Sequence, residues 1–149
     1  MRLRLLCLTL LFCCPVGYGF AADAGYAGSA ACEPCHAEQY EKFTTHSSKA
    51  RSWESVQKML PKLTPAEAKE CFGCHTTGYG KGGFESYEKT PGLANLSCEA
   101  CHGPGSLHAE SGDADDIRRT PDVKGCTACH NADRIRNFKF KPMLYHGGH

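Results

Sequence analysis

One five-residue pattern occurs four times in the chain: Cys-Glu-Pro-Cys-His at 32–36, Cys-Phe-Gly-Cys-His at 71–75, Cys-Glu-Ala-Cys-His at 98–102 and Cys-Thr-Ala-Cys-His at 126–130. Successive copies start 39, 27 and 28 residues apart. On a helical turn, positions i and i+3 share a face. Two thiols so placed can form thioethers to the two vinyl groups of one haem, and the next residue can bring an imidazole beneath the iron. The pattern reads Cys32, Cys35, Cys71, Cys74, Cys98, Cys101, Cys126 and Cys129 as attachment points for four haem c groups. It reads His36, His75, His102 and His130 as their proximal iron ligands.

Three other uses of paired cysteines fit less well. Zinc ribbons also employ Cys-x-x-Cys pairs. Two zinc ions would consume all eight thiolates and leave four motif histidines unexplained. A disulfide scaffold suits a small exported chain, yet it does not require one spacing repeated four times. A thioredoxin-like pair occurs once, in a βαβ setting absent here.

The 149 residues allow one small domain preceded by a leader. Arg2 and Arg4, the apolar run from Leu5 to Cys14 and the small residues after Pro15 have the order of a secretory signal peptide. Residues 1–24 are assigned to it and residues 25–149 to a tetrahaem cytochrome c domain, which places the mature chain in the periplasm or outside the cell. The apolar run is too short for a membrane-spanning helix. A lipid-modified Cys13 or Cys14 is disfavoured, because bulky Phe12 or Cys13 stands where a small residue is needed. Losing Cys7, Cys13 and Cys14 leaves no thiol outside the four pairs. Losing Arg2, Arg4 and Asp23 leaves 15 basic and 15 acidic residues, so nothing in the charge points to a nucleic-acid partner. A chain this small has difficulty burying enough surface by itself. Haem groups would supply the missing interior, and the chain without them is expected to be disordered.

Four histidines lie outside the motifs: His46, His108, His146 and His149. A lone histidine is ordinarily a surface or hydrogen-bonded residue, but haems with unfilled sixth positions need ligands. His108 follows His102 by six residues, a reach of about 20–22 Å at full extension. The intervening Gly-Pro-Gly-Ser-Leu should turn instead, so His108 is expected to serve a neighbouring haem. A helix through Ala37–Phe43 would likewise carry His46 away from the haem of His36. Met59 and Met143 are read as packing residues.

The fold class is mainly α with much irregular loop. Helices are expected from Cys32 to about Phe43, from Lys49 to Leu60 with Trp53, Val56 and Leu60 on one face, and from Pro65 into Cys71. Thr64, Pro65 and Glu67 spell a capping box for the last of these. Trp53 is expected to lie against a haem. Residues 76–97 read as loop, and residues 112–116 as a solvated acidic turn without chemical duty. The tail from Asn131 mixes basic and aromatic residues, and Arg134, Arg136, Lys139 and Lys141 could dock an acidic partner.

Longer stretches carry a resemblance. Tyr26–Ala50, Glu70–Ser86, Leu93–Glu110 and the closing Met-Leu-Tyr-His-Gly-Gly at 143–148 resemble the tetrahaem cytochrome c-554 family. The resemblance implies a small multihaem cytochrome c fold wrapped round four closely packed haems. It implies that His46, His108 and His146 stand at distal-ligand positions, and that the haem at Cys71, Cys74 and His75 has no sixth protein ligand. The chain departs from the family pattern in its shorter C-terminal region and in the extra His149, which could replace His146 or close the open haem.

These readings favour an exported carrier relaying single electrons between a donor and an acceptor protein. Bis-histidine haems have no free site and change little on reduction. An alternative is a redox enzyme acting on nitric oxide, nitrite or hydroxylamine at an open iron, with Tyr79 and Lys81 nearby in the chain. No stable membrane span is expected. A filament or oligomer is a further possibility that no motif addresses.

Overall fold

The computed structural model describes residues 24–131. The leader-like residues 1–23 with Cys13 and Cys14, and Met143, His146, His149 and the basic residues of the tail, lie outside them. The described residues form six short α-helices joined by 3-10 turns and loops, and they contain no strand. The helices are α1 (Ala37–His46), α2 (Trp53–Met59), α3 (Pro65–His75), α4 (Glu99–His102), α5 (Ser106–Ser111) and α6 (Val123–Thr127). No helix among the described residues is long and apolar enough to cross a membrane.

Helix α3 begins as its sequence dictates. Thr64 Oγ1 accepts the Glu67 N–H at 3.3 Å, and Glu67 Oε2 accepts the Thr64 N–H at 2.8 Å. Pro65 fills the first turn, where a missing N–H costs nothing. The helix runs past Cys71 and ends at His75.

The first two helices differ from expectation. Cys32–His36 is a separate turn, closed by the His36 N–H on the Cys32 carbonyl at 2.9 Å. His36 leaves helical geometry with φ −123° and ψ 43°, and α1 starts only at Ala37. The stretch from Lys49 to Leu60 is broken at Ser52 into a 3-10 turn and α2. A continuous helix would send the Trp53 N–H to the carbonyl of Lys49. It goes instead to Asn95 Oδ1 at 2.9 Å, so a tertiary acceptor outcompetes the helical one.

The apolar core is small. Trp53, Val56, Phe84, Leu93 and Ala94 form it, with Phe72, Tyr79 and Tyr26 packed alongside. Trp53, expected against a haem, sits among Phe72, Phe84 and Tyr87 at ring distances of 5.3–5.8 Å. Such aromatic pairs add to the area they bury. The loop after α3 owes its order to this core. Thr77 is fully buried; its Oγ1 donates to the Asn95 carbonyl at 2.7 Å and accepts the Ser97 N–H at 2.8 Å.

Gly83 closes that loop against backbone. A Cβ there would meet the Thr77 carbonyl oxygen at 2.5 Å and Gly78 Cα at 2.7 Å. Backbone cannot swing aside as a side chain can. Gly83→Ala is therefore expected to lose roughly 1–3 kcal/mol of stability, as overpacking does. An unchanged denaturation midpoint would refute this close approach.

Candidate functional site

All four Cys-x-x-Cys-His segments adopt a helical turn, as two thioethers to one haem require. The second closes α3 and the third is α4 with its preceding cysteine. In the first, third and fourth, the histidine N–H returns to the carbonyl of the first cysteine, at 2.9, 3.0 and 2.8 Å. None of the eight cysteines is in a disulfide.

Tertiary packing groups the segments in two pairs. A cavity of about 290 Å³ is bordered by Cys32 and His36 of the first segment and Cys98 and His102 of the third, with His108 and Arg119. A second cavity, of about 440 Å³, is bordered by Cys71, Cys74 and His75 of the second and Cys129 and His130 of the fourth, with Ser52. The thiols record the same pairing. Hydrogen bonding between Cys32 and Cys98 pushes the Cys32 thiol up and brings Cys98 down to about 6. Burial, with the hydrogen bond that the Cys129 thiol donates toward Cys74, pushes Cys129 up to about 12. Burial also lowers His130, with the Lys49 charge adding to it.

Three imidazoles are held by backbone carbonyls. His75 Nδ1 is 3.0 Å from the Ser52 carbonyl, His102 Nδ1 is 2.7 Å from that of Arg118, and His108 Nδ1 is 2.7 Å from that of Asp113. A carbonyl can only accept, so in each neutral ring Nδ1 carries the proton and Nε2 carries the lone pair. That is the arrangement of a metal-ligating histidine with its second support. Ser52 holds His75 twice, since its Oγ also donates to the His75 carbonyl at 2.7 Å.

His108 is brought to His36. Gly103, at φ 84°, turns the chain after His102, and α5 carries His108 back. The two rings face each other with centroids 6.1 Å apart and planes 26° from parallel. An iron about 2 Å from each Nε2 would place the nitrogens about 4 Å apart and the centroids about 6 Å apart. The centroid spacing of the pair matches that of two imidazoles on one iron. His46 ends α1 on an exposed face and borders neither of these cavities. Tyr79 stands edge-on to Phe72 in the aromatic core at 5.3 Å and does not border the second cavity. Lys81 is exposed and does not border it either.

Glu99 was not singled out by sequence. It lies between the cysteines of the third segment, and its side chain is buried, 3% exposed. Its carboxylate accepts the N–H groups of Ala27 at 2.8 Å, Gly28 at 2.8 Å and Gly105 at 2.9 Å. It thereby ties the stretch before the first segment and the turn before α5 to the third segment. Burial raises the Tyr26 hydroxyl, and the Glu99 charge raises it further. Glu33, at the matching place in the first segment, is exposed, so position within the motif carries no signal for this role.

Comparison with known proteins follows the same residues. The family model for "Cytochrome c554 and c-prime" matches residues 31–103, which hold the first three segments. Cytochrome c-554 of Nitrosomonas europaea is 36% identical over 152 aligned positions, covering 80% of this chain. The chain spans 63% of that relative's length. No solved structure matches the chain.

Proposed function

We propose that the chain is a c-type cytochrome of the cytochrome c554 family, which it matches over residues 31–103 and through a 36%-identical relative, and that it carries four covalent haems and relays single electrons between redox protein partners outside the cytoplasm. Each Cys-x-x-Cys-His segment holds one haem through Cys32 and Cys35, Cys71 and Cys74, Cys98 and Cys101, or Cys126 and Cys129. The observation that carries the reading is the sharing of each cavity by two segments. Two haems anchored at one cavity lie close together, and close spacing is what rapid electron relay needs. The haem supplies the one-electron redox centre; the protein supplies ligands, burial and spacing.

His36 and His108 are assigned to the first iron, on their facing rings. His75, His102 and His130 are proximal ligands of the other three. His46 and His146 are assigned as sixth ligands from the family pattern alone. Export rests on the leader-like residues 1–24.

The alternative, a small-molecule redox site, draws on one observation. Both histidines that border the second cavity, His75 and His130, belong to attachment segments. The iron at His75 then keeps an open face for a ligand such as nitric oxide, nitrite or hydroxylamine, unless His149 reaches it.

Electron paramagnetic resonance of the oxidised protein tests both readings. A high-spin signal from about one haem in four, lost when nitric oxide binds, is expected. A wholly low-spin spectrum would sink the open second haem. In that case His149→Ala and His146→Ala identify which histidine closes it. A mass corresponding to fewer than four haems would sink the tetrahaem reading itself.

A further inference from the structure

The turn after α5 reads from sequence as solvated and idle, but its backbone reaches two imidazoles, His102 of the third segment and His108 of α5. At one end, the Asp113 carbonyl takes the Nδ1 proton of His108 at 2.7 Å. At the other, the Arg118 carbonyl takes that of His102 at 2.7 Å, while the Arg118 N–H donates to the His102 carbonyl at 3.1 Å. The turn is braced internally. Ser111 Oγ donates to Asp116 Oδ2 at 2.6 Å and accepts the Asp113 N–H at 3.0 Å. Asp113 Oδ1 accepts the Asp115 N–H at 2.9 Å and caps the 3-10 turn Ala114–Asp116. Gly112, at φ 71°, directs the chain from α5 into the turn.

We propose that Gly112–Arg118 is a shared strap that positions one axial imidazole on each of two neighbouring haems and sets their redox behaviour together. The proposal rests on the reading of His108 and His102 as ligands of the first and third irons. A carbonyl on Nδ1–H fixes the tautomer, aims Nε2 and makes the imidazole a stronger base. A more basic ligand favours ferric over ferrous iron and holds the potential down. Both carbonyls belong to one short braced segment, so moving one end moves the other.

The test uses the haem-loaded protein and its Gly112→Val variant. A Cβ at Gly112 meets nothing within 4 Å, and the positive φ makes backbone conformation the point at which the change acts. A branched side chain at that φ is strained, and the Asp113 carbonyl must shift. Two midpoint potentials are expected to rise, and two low-spin resonance signals to move, with the remaining haems unchanged. Ser111→Ala combined with Asp116→Ala removes the brace using exposed side chains. It should move the same two haems in the same direction by less, and it serves if Gly112→Val does not fold. A shift confined to one haem, or none, overturns the strap. His108→Ala separates the two levels. If it creates no high-spin haem, the ligand assignment fails. If it does, while the strap variants leave both potentials in place, the strap alone fails.

Discussion

Glu99→Ala is expected to destabilise the haem-loaded protein by about 3 kcal/mol or more, because it leaves several buried donors unmatched. The carboxylate accepts three backbone N–H groups from two separate stretches, and its side chain is buried. Alanine removes every acceptor and opens a void in the same step. Each unsatisfied buried donor costs about 1–3 kcal/mol. Glu99→Gln keeps one acceptor oxygen but turns an amide N–H toward a backbone N–H, so it should fall between alanine and the native residue. The control is Glu33→Ala. Glu33 has the same place in its motif yet is exposed, and surface changes usually stay within about 0.5 kcal/mol. Thermal unfolding, followed in the protein's far-ultraviolet signal, makes the comparison. Equal stability of Glu99→Ala and Glu33→Ala would show that the buried carboxylate is not a structural tie.

His108→Ala has the second large expected effect. Under the proposed reading it strips the sixth ligand from the first iron, opposite His36. One haem in four should change from low to high spin, beside whatever high-spin signal the native protein has. Added imidazole should restore the low-spin state, because the space vacated by the side chain has the ligand's own shape. The substitution is mild for the fold, since His108 is only half-buried on a short helix. An unchanged spin state would show that the facing of His36 and His108 at 6.1 Å does not report a shared iron.

Several elements were legible because their cause is local. The capping box at Thr64 and Glu67 satisfies backbone donors within three residues, so four letters suffice to recognise it. The turn at Gly103 is written in Gly-Pro-Gly, and the core face of α2 in the spacing of Trp53 and Val56. Where the reading failed, a distant partner intervened. Asn95 takes the Trp53 N–H and splits the second helix, and nothing near Trp53 announces Asn95. Nor does anything near Trp53 announce its aromatic neighbours. Phe84 and Tyr87, some thirty residues on, close over it. The segment around Asp113 looked like solvated charge because its side chains are polar. Its contacts with the imidazoles are made by carbonyls, which every residue possesses and no letter distinguishes.

The sequence by itself determined the chemistry of attachment. Two thiols and an imidazole on one helical turn is a relation among neighbours, and covalent geometry carries it in any fold. The same is true of the helical class and the cap of α3. Only the tertiary structure decided which segments share a cavity, that His108 turns to His36, and that Glu99 is a buried tie while Glu33 faces solvent. Those choices depend on contacts between residues as many as 72 positions apart. Such contacts form when chain entropy, burial and backbone hydrogen bonding are satisfied together, and no local pattern records that balance.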